Sequence, residues 1–181
     1  MTTLFDRILE ADVAIRPQVP VTPLDVSPVL SASLDCEALL KCEHLQPTGS
    51  FKVRGAANKI CSLDEAARVA GVITASTGNH GQGVARAGAL ANVAVTVYVG
   101  TGTAPQKIAA IRALGADVVV IDGAPIDAEL EARRQSELQG KTYISPYNDW
   151  TSWPARAPLA WSFHGRHPSL RRCLLPSAAV D

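Results

Sequence analysis

The sequence predicts an α/β fold, a parallel sheet with helices on both faces. Two observations carry this reading. Between Val72 and Ile144, short β-branched runs alternate with helical patterns, at the spacing of strand–helix–strand units. The composition, 47% hydrophobic and 19% charged over 181 residues, is that of a globular chain able to bury a core in one or two domains. It excludes a disordered polymer, which would be less apolar and more charged. No apolar run approaches the ~20 residues of a membrane span. The N-terminus lacks the basic-then-apolar order of a secretory signal, so a cytoplasmic protein with no membrane contact is expected.

The elements follow in chain order. Leu4, Phe5, Ile8, Leu9 and Val13 recur at helical spacing, so residues 2–14 read as an amphipathic helix. Pro17, Pro20 and Pro23 then favour extended chain. Ala38 to Cys42 is a short strand. Pro47–Ser50 is a turn, and Thr48 or Ser50 can cap a helix reaching about Ser62. A second short helix covers Asp64 to Ala70. Strands are expected at 72–75, 93–99, 118–121 and 142–144. Helices are expected at 84–91, 105–114 and 126–138, the second stopped by Gly115. Ser76 to Gly83 reads as a glycine-rich loop at the carboxyl end of a strand, where parallel sheets bind ligands.

The zero net charge conceals an asymmetry. Four arginines against one aspartate in residues 151–181 balance an acidic body of 13 basic and 16 acidic groups. From Thr151 the periodicity stops, and Trp and Pro accumulate around the junction. A basic surplus confined to that segment, with no recognition motif, argues against a nucleic-acid partner. Cys36, Cys42, Cys61 and Cys173 form no C-x-x-C pair. They read as reduced thiols. A zinc site using His44 or His80 has no ligand spacing behind it.

Two stretches can carry chemistry. In Pro47-Thr48-Gly49-Ser50-Phe51-Lys52-Val53-Arg54-Gly55, Lys52 falls in the first turn of a helix. The positive end of that helix favours the neutral amine, which can attack an aldehyde to form a Schiff base. Taken alone, such a lysine is more commonly a surface residue. In Ser76-Thr77-Gly78-Asn79-His80-Gly81-Gln82-Gly83, small residues let the backbone approach a ligand, and helix-start N–H groups can hold a carboxylate or phosphate. Asn79 can donate to a phenolate oxygen. His80 reads as a packing or orienting residue before it reads as a base. The glycine order does not match a dinucleotide fingerprint or a phosphate loop.

Together these motifs resemble the fold-type II pyridoxal-phosphate enzymes, in particular the threonine/serine dehydratase and serine racemase group. The resemblance extends through Thr22-Pro23-Leu24, Lys41–Gly55, Ser76–Gly83, Pro105–Gly115 and Ser145–Asp149. It implies a tryptophan synthase β-like fold with an incomplete large domain. Residues 1–70 would be the N-terminal part of that large domain, 71–145 a small α/β domain, and 146–181 a remnant plus tail. It also implies pyridoxal 5'-phosphate as cofactor. Lys52 would hold it covalently and move the α-proton, Phe51 would pack beside it, and Asn79 would bind its ring hydroxyl. Backbone amides of Ser76, Thr77, Gly78, Asn79 and His80 would bind the carboxylate of a small amino-acid substrate. Racemases of the group have serine where this chain has Thr77, and many dehydratases have alanine. Thr77 can act on the second face of the substrate, but its methyl limits its placement. The expected reaction is therefore β-elimination to a 2-keto acid and ammonia. Serine or aspartate racemization, hydroxyaspartate dehydration and a non-catalytic truncated product are the alternatives. Members of the group are typically homo-oligomers.

The resemblance also accounts for the tail. Thr151–Phe163 can be written in codons that, read one base earlier, give D-V-V-A-G-Q-G-T-I-G-V-E-L, the family-like continuation. Leu174–Asp181 can be written so that the shifted frame gives F-V-A-V-G-G-G-G, the family's phosphate-binding loop. Residues 151–181 are thus expected to be an out-of-frame tail. On that reading, weak or no retention of the cofactor and an inactive fragment are expected.

Overall fold

The computed structural model describes residues 3–147. Expectations for the N-terminal two residues and for 148–181, including Cys173 and the out-of-frame tail, lie outside the described residues. Helix α1 (Leu4–Ile15) opens on a capping box, in which Thr3 Oγ1 accepts from Asp6 N and Asp6 Oδ2 accepts from Thr3 N. Strand β1 (Leu24–Val26) pairs antiparallel with β2 (Leu39–Lys41) as a separate ribbon, and α2 (Pro28–Leu34) lies between them. Hydrophobic spacing does not announce α2, which is seven residues long. Its signature is short but present: Ser27 caps it, Pro28 stands at its first position, and Asp35 closes it in the left-handed region.

Helix α3 (Lys52–Cys61) follows the turn at 47–51. Helix α4 (Glu65–Ala70) is capped by Asp64 and ends at Gly71, whose φ of +86° turns the chain into the sheet. The sheet contains β3 (Val72–Ala75), β4 (Val95–Gly100), β5 (Asp117–Ile121) and β6 (Thr142–Tyr143), all parallel in the order β5-β4-β3-β6. Helices α5 (Asn79–Ala91), α6 (Pro105–Ala113) and α7 (Pro125–Gln139) connect them.

Alternation along each strand sorts the two faces. Val72, Val95, Val97 and Val99 join one core with α1, α3, α5 and α6. Ile73, Ala75 and Tyr98 face the other side, against Ala128 and Ala132 of α7. Helices therefore cover both faces, as the alternation predicts. One boundary differs by five residues. The glycine-rich run is not a loop to Gly83, because α5 already begins at Asn79. Glycine costs helix propensity, but here a Cβ at Gly83 would lie 3.2 Å from Val53 N and 3.3 Å from Lys52 C. Close packing of α5 on the start of α3 outweighs local preference.

Candidate active site

Lys52 is the first residue of α3, and its backbone N–H donates to Ser50 Oγ at 3.1 Å. Neither capping candidate caps the helix: Phe51 stands at the N-cap position without a side-chain bond, and Ser50 accepts from Lys52 N one position earlier. The amine Nζ donates to the carbonyl of Pro146 at 3.4 Å, 94 positions away along the chain. The ring of Phe51 lies 5.5 Å from the amine and that of Tyr147 lies 6.0 Å from it. An ammonium within about 6 Å of an aromatic centroid is attracted to the ring face.

Pro146 and Tyr147 also link this lysine to the second motif. They line a cavity of about 370 Å³ together with Ser76, Thr77, Tyr98 and Glu129. Thr77 stands between that cavity and a second of about 370 Å³ lined by Gly100, Thr103, Lys107 and Ala124. Both open at the carboxyl ends of β3 and β4, where ligands bind in parallel sheets. The lysine sits at the edge of this space rather than in its lining.

The Ser76–Gly78 turn is built from small groups. Ser76 Oγ accepts from Gly78 N at 3.2 Å, and a Cβ at Gly78 would meet nothing within 4 Å. Helix α5 starts at Asn79 without a side-chain cap, and first-turn N–H groups left uncapped in this way can hold an anion. Phe51, Lys52, Ser76, Thr77, Gly78 and Asn79 are all half-buried. His80 is different. Its ring is buried, with Nε2 3.3 Å from the carbonyl of Ile144, to which Thr74 Oγ1 also donates at 2.8 Å. The imidazole ties α5 to the segment after β6, and only its backbone remains at the turn.

The motifs contain a buried charge cluster that reading them for chemistry did not reveal. Glu43 accepts two bonds from Arg54, to Oε2 from Nε at 2.8 Å and to Oε1 from Nη2 at 2.9 Å, and both side chains are about 95% buried. Thr22 Oγ1 donates to Oε1 at 2.5 Å and Gln46 Nε2 to Oε2 at 3.2 Å. Burial by itself would raise the Glu43 pKa, but the hydrogen bonds from Arg54 and Thr22 and the Arg54 charge hold it below the usual carboxylate range. Nearby, Lys41 Nζ donates to the carbonyl of Thr22 at 2.6 Å. Nothing local announces the cluster: residues 41–54 are mostly polar, and the pairing of Glu43 with Arg54 arises only when the fold buries both. At the cavity, burial and the charge of Glu131 raise the Tyr98 pKa, which keeps its hydroxyl protonated.

Among the described residues no two cysteines are joined by a disulfide; Cys42 is buried and Cys36 and Cys61 are half-buried. Among the described residues no group of three His, Cys, Asp or Glu is placed to hold a metal. No helix there is long and apolar enough to cross a membrane.

Comparison with known proteins agrees with this geometry. Residues 15–168 match the family model described as pyridoxal-phosphate dependent enzyme. The chain is 42% identical over 127 residues to the L-threo-3-hydroxyaspartate ammonia-lyase of a Pseudomonas species, covering 70% of this chain and 40% of that protein. It is 42% identical over 172 residues to the L-threonine ammonia-lyase of Geobacter sulfurreducens, covering 95% of this chain and 43% of that protein. The crystal structure of serine racemase from Dictyostelium discoideum superposes with a TM-score of 0.85 at 31% identity, covering 93% of this chain and 55% of that one. The chain thus spans about two fifths of the length of these curated relatives.

Proposed function

This chain belongs to the pyridoxal-phosphate dependent enzyme family, and from that premise we propose that it carries the lysine and the carboxylate-binding turn of an ammonia-lyase for a small hydroxy amino acid. The single observation that carries the reading is the convergence on Pro146–Tyr147. These residues contact the Lys52 amine and line the cavity shared with Ser76 and Thr77.

The residues present fit the cofactor. A primary amine lies within 6.0 Å of the Phe51 and Tyr147 ring centroids, and Tyr147 lines the cavity together with Ser76 and Thr77. When bound, pyridoxal phosphate supplies an electron sink for charge developing at the substrate α-carbon. Lys52 would attach it and, in turnover, take the α-proton on Nζ. Asn79 would donate its side-chain amide to the cofactor's ring oxygen, and Phe51 would pack against the ring. The N–H groups of 76–80 would hold the substrate carboxylate and so aim the α-proton at Lys52. The β-hydroxyl would then take up a proton and leave as water, and hydrolysis of the resulting enamine by another water would give the 2-keto acid and ammonia. In this reading 1–70 belongs to a large domain, 71–145 forms a small α/β domain, and 151–181 is an out-of-frame tail that resequencing of the gene would test.

Borohydride trapping tests the site without requiring tight retention. The chain is mixed with pyridoxal phosphate and reduced, and the modified peptide is identified by mass. Label at Lys52 that disappears in Lys52→Ala is expected. Label elsewhere, unchanged by that substitution, overturns the assignment. Racemization is the second reading, favoured by the serine racemase likeness and by the hydroxyl that Thr77 brings to the cavity. Release of keto acid, as against formation of D-amino acid, by the frame-restored protein separates the two.

A further inference from the structure

We infer that Glu43 is a positioning residue for Lys52: its buried carboxylate clasps both ends of the seven-residue segment 47–53 and thereby sets where the amine is presented. The inference rests on the reading of Lys52 as the cofactor's lysine. Gln46, just before the segment, donates to Glu43 Oε2 at 3.2 Å, and Arg54, just after it, donates to the same oxygen at 2.8 Å. Both ends of the turn therefore meet on one atom. Arg54 adds a second bond to Oε1, and Thr22 completes the carboxylate's four donors. Gln46 is anchored in turn, since its Nε2 also donates to the carbonyl of Pro20 at 3.1 Å. None of these side chains is among those lining the cavity. They act through the backbone.

Such a clasp has a physical purpose. The segment 47–51 contains no strand or helix of its own, and Gly49 sits at φ +69°. A turn of that kind fluctuates unless its ends are tied. An amine displaced by an ångström from its reaction geometry loses rate steeply. A carboxylate with four donors, out of water, is a stiff tie because leaving any donor unpaired there is costly. Lys52 is two residues from Arg54, so error at the clasp passes to the amine through a single helical turn.

The test is site-resolved trapping on the full chain. Variants shown by circular dichroism to be folded are reduced with borohydride in sub-saturating pyridoxal phosphate. Label at Lys52 is divided by label at Lys141, which lies far along the chain, just before β6, and reports general loosening. Glu43→Gln should lower this ratio by about tenfold. Glu43→Asp, which keeps the charge, should recover part of the loss. Gln46→Ala leaves the ion pair intact and releases one end, so a smaller drop is expected. A native ratio in folded Glu43→Gln overturns the inference. If Glu43→Gln does not fold, a native ratio in Gln46→Ala overturns it. Absence of label at Lys52 in the native chain overturns the reading of the lysine itself, and the inference with it, so the two failures are distinct.

Discussion

Two strand-to-helix turns meet at the candidate site, and they are held in opposite ways. The turn that ends at Lys52 is tied by buried charge: Glu43, Arg54, Thr22 and Gln46 surround it with directional bonds. The turn at Ser76–Gly78 is held by backbone geometry and one serine hydroxyl, with His80 bracing it from beneath. The difference follows from what each turn delivers. A turn that presents a reactive side chain has to fix the chain on both sides of that residue. A turn that presents N–H groups has to keep side chains out of the way, and glycine does this by lacking one. Between them, Gly83 lets α5 rest directly on the Lys52–Val53 backbone.

The comparison can be broken most forcefully at the charged turn. Glu43→Gln leaves Arg54 buried without its counter-charge, and an expected loss of about 3–5 kcal/mol in unfolding free energy follows, measured by urea titration at neutral pH. The same pair predicts an acid dependence. The folded Glu43 carboxyl ionises below its ordinary value, so the unfolded chain takes up the proton first as pH falls. Its contribution is complete above the usual glutamate value of about 4.3. It declines below that and is lost once pH passes the lower folded value. The stability gap between native and Glu43→Gln chains should therefore narrow as pH drops below about 4. A gap independent of pH would show that the carboxylate's charge is not what the turn depends on.

Gly83→Val tests the junction between the turns. Its branched side chain meets backbone already 3.2–3.3 Å from the Cβ position, so an overpacking cost of about 1–3 kcal/mol is expected, together with reduced trapping at Lys52. The small-residue turn should be the most tolerant. Thr77→Ala removes a half-buried side chain that lines open space, and its effect on thermal unfolding should stay within about 0.5 kcal/mol, with Lys52 trapping unchanged. A loss equal to that of Glu43→Gln would show that both turns depend on side chains.

Most of the sheet was legible in the sequence because its signals are local. Val72–Ala75, Val95–Gly100 and Asp117–Ile121 are dense in β-branched residues, and Pro105, Pro125 and Gly140 mark helix ends within a few positions. The site residues were legible as motifs. Their meeting was not: nothing local says that Lys52 reaches Pro146. The start of α5 was misplaced for a related reason, since three glycines argue for a loop until a neighbouring helix is packed against them.

The sequence by itself determined the alternation of elements, the covering of both sheet faces and the residue types available for chemistry, because periodicity and capping act within a few residues. Tertiary structure decided which of those residues share a space. It turned His80 into the core, gave Pro146 and Tyr147 their place beside the amine, and joined Glu43 to Arg54. Each of these depends on chain segments brought together by burial, where an unpaired charge or hydrogen-bond donor costs more than any local preference can offset.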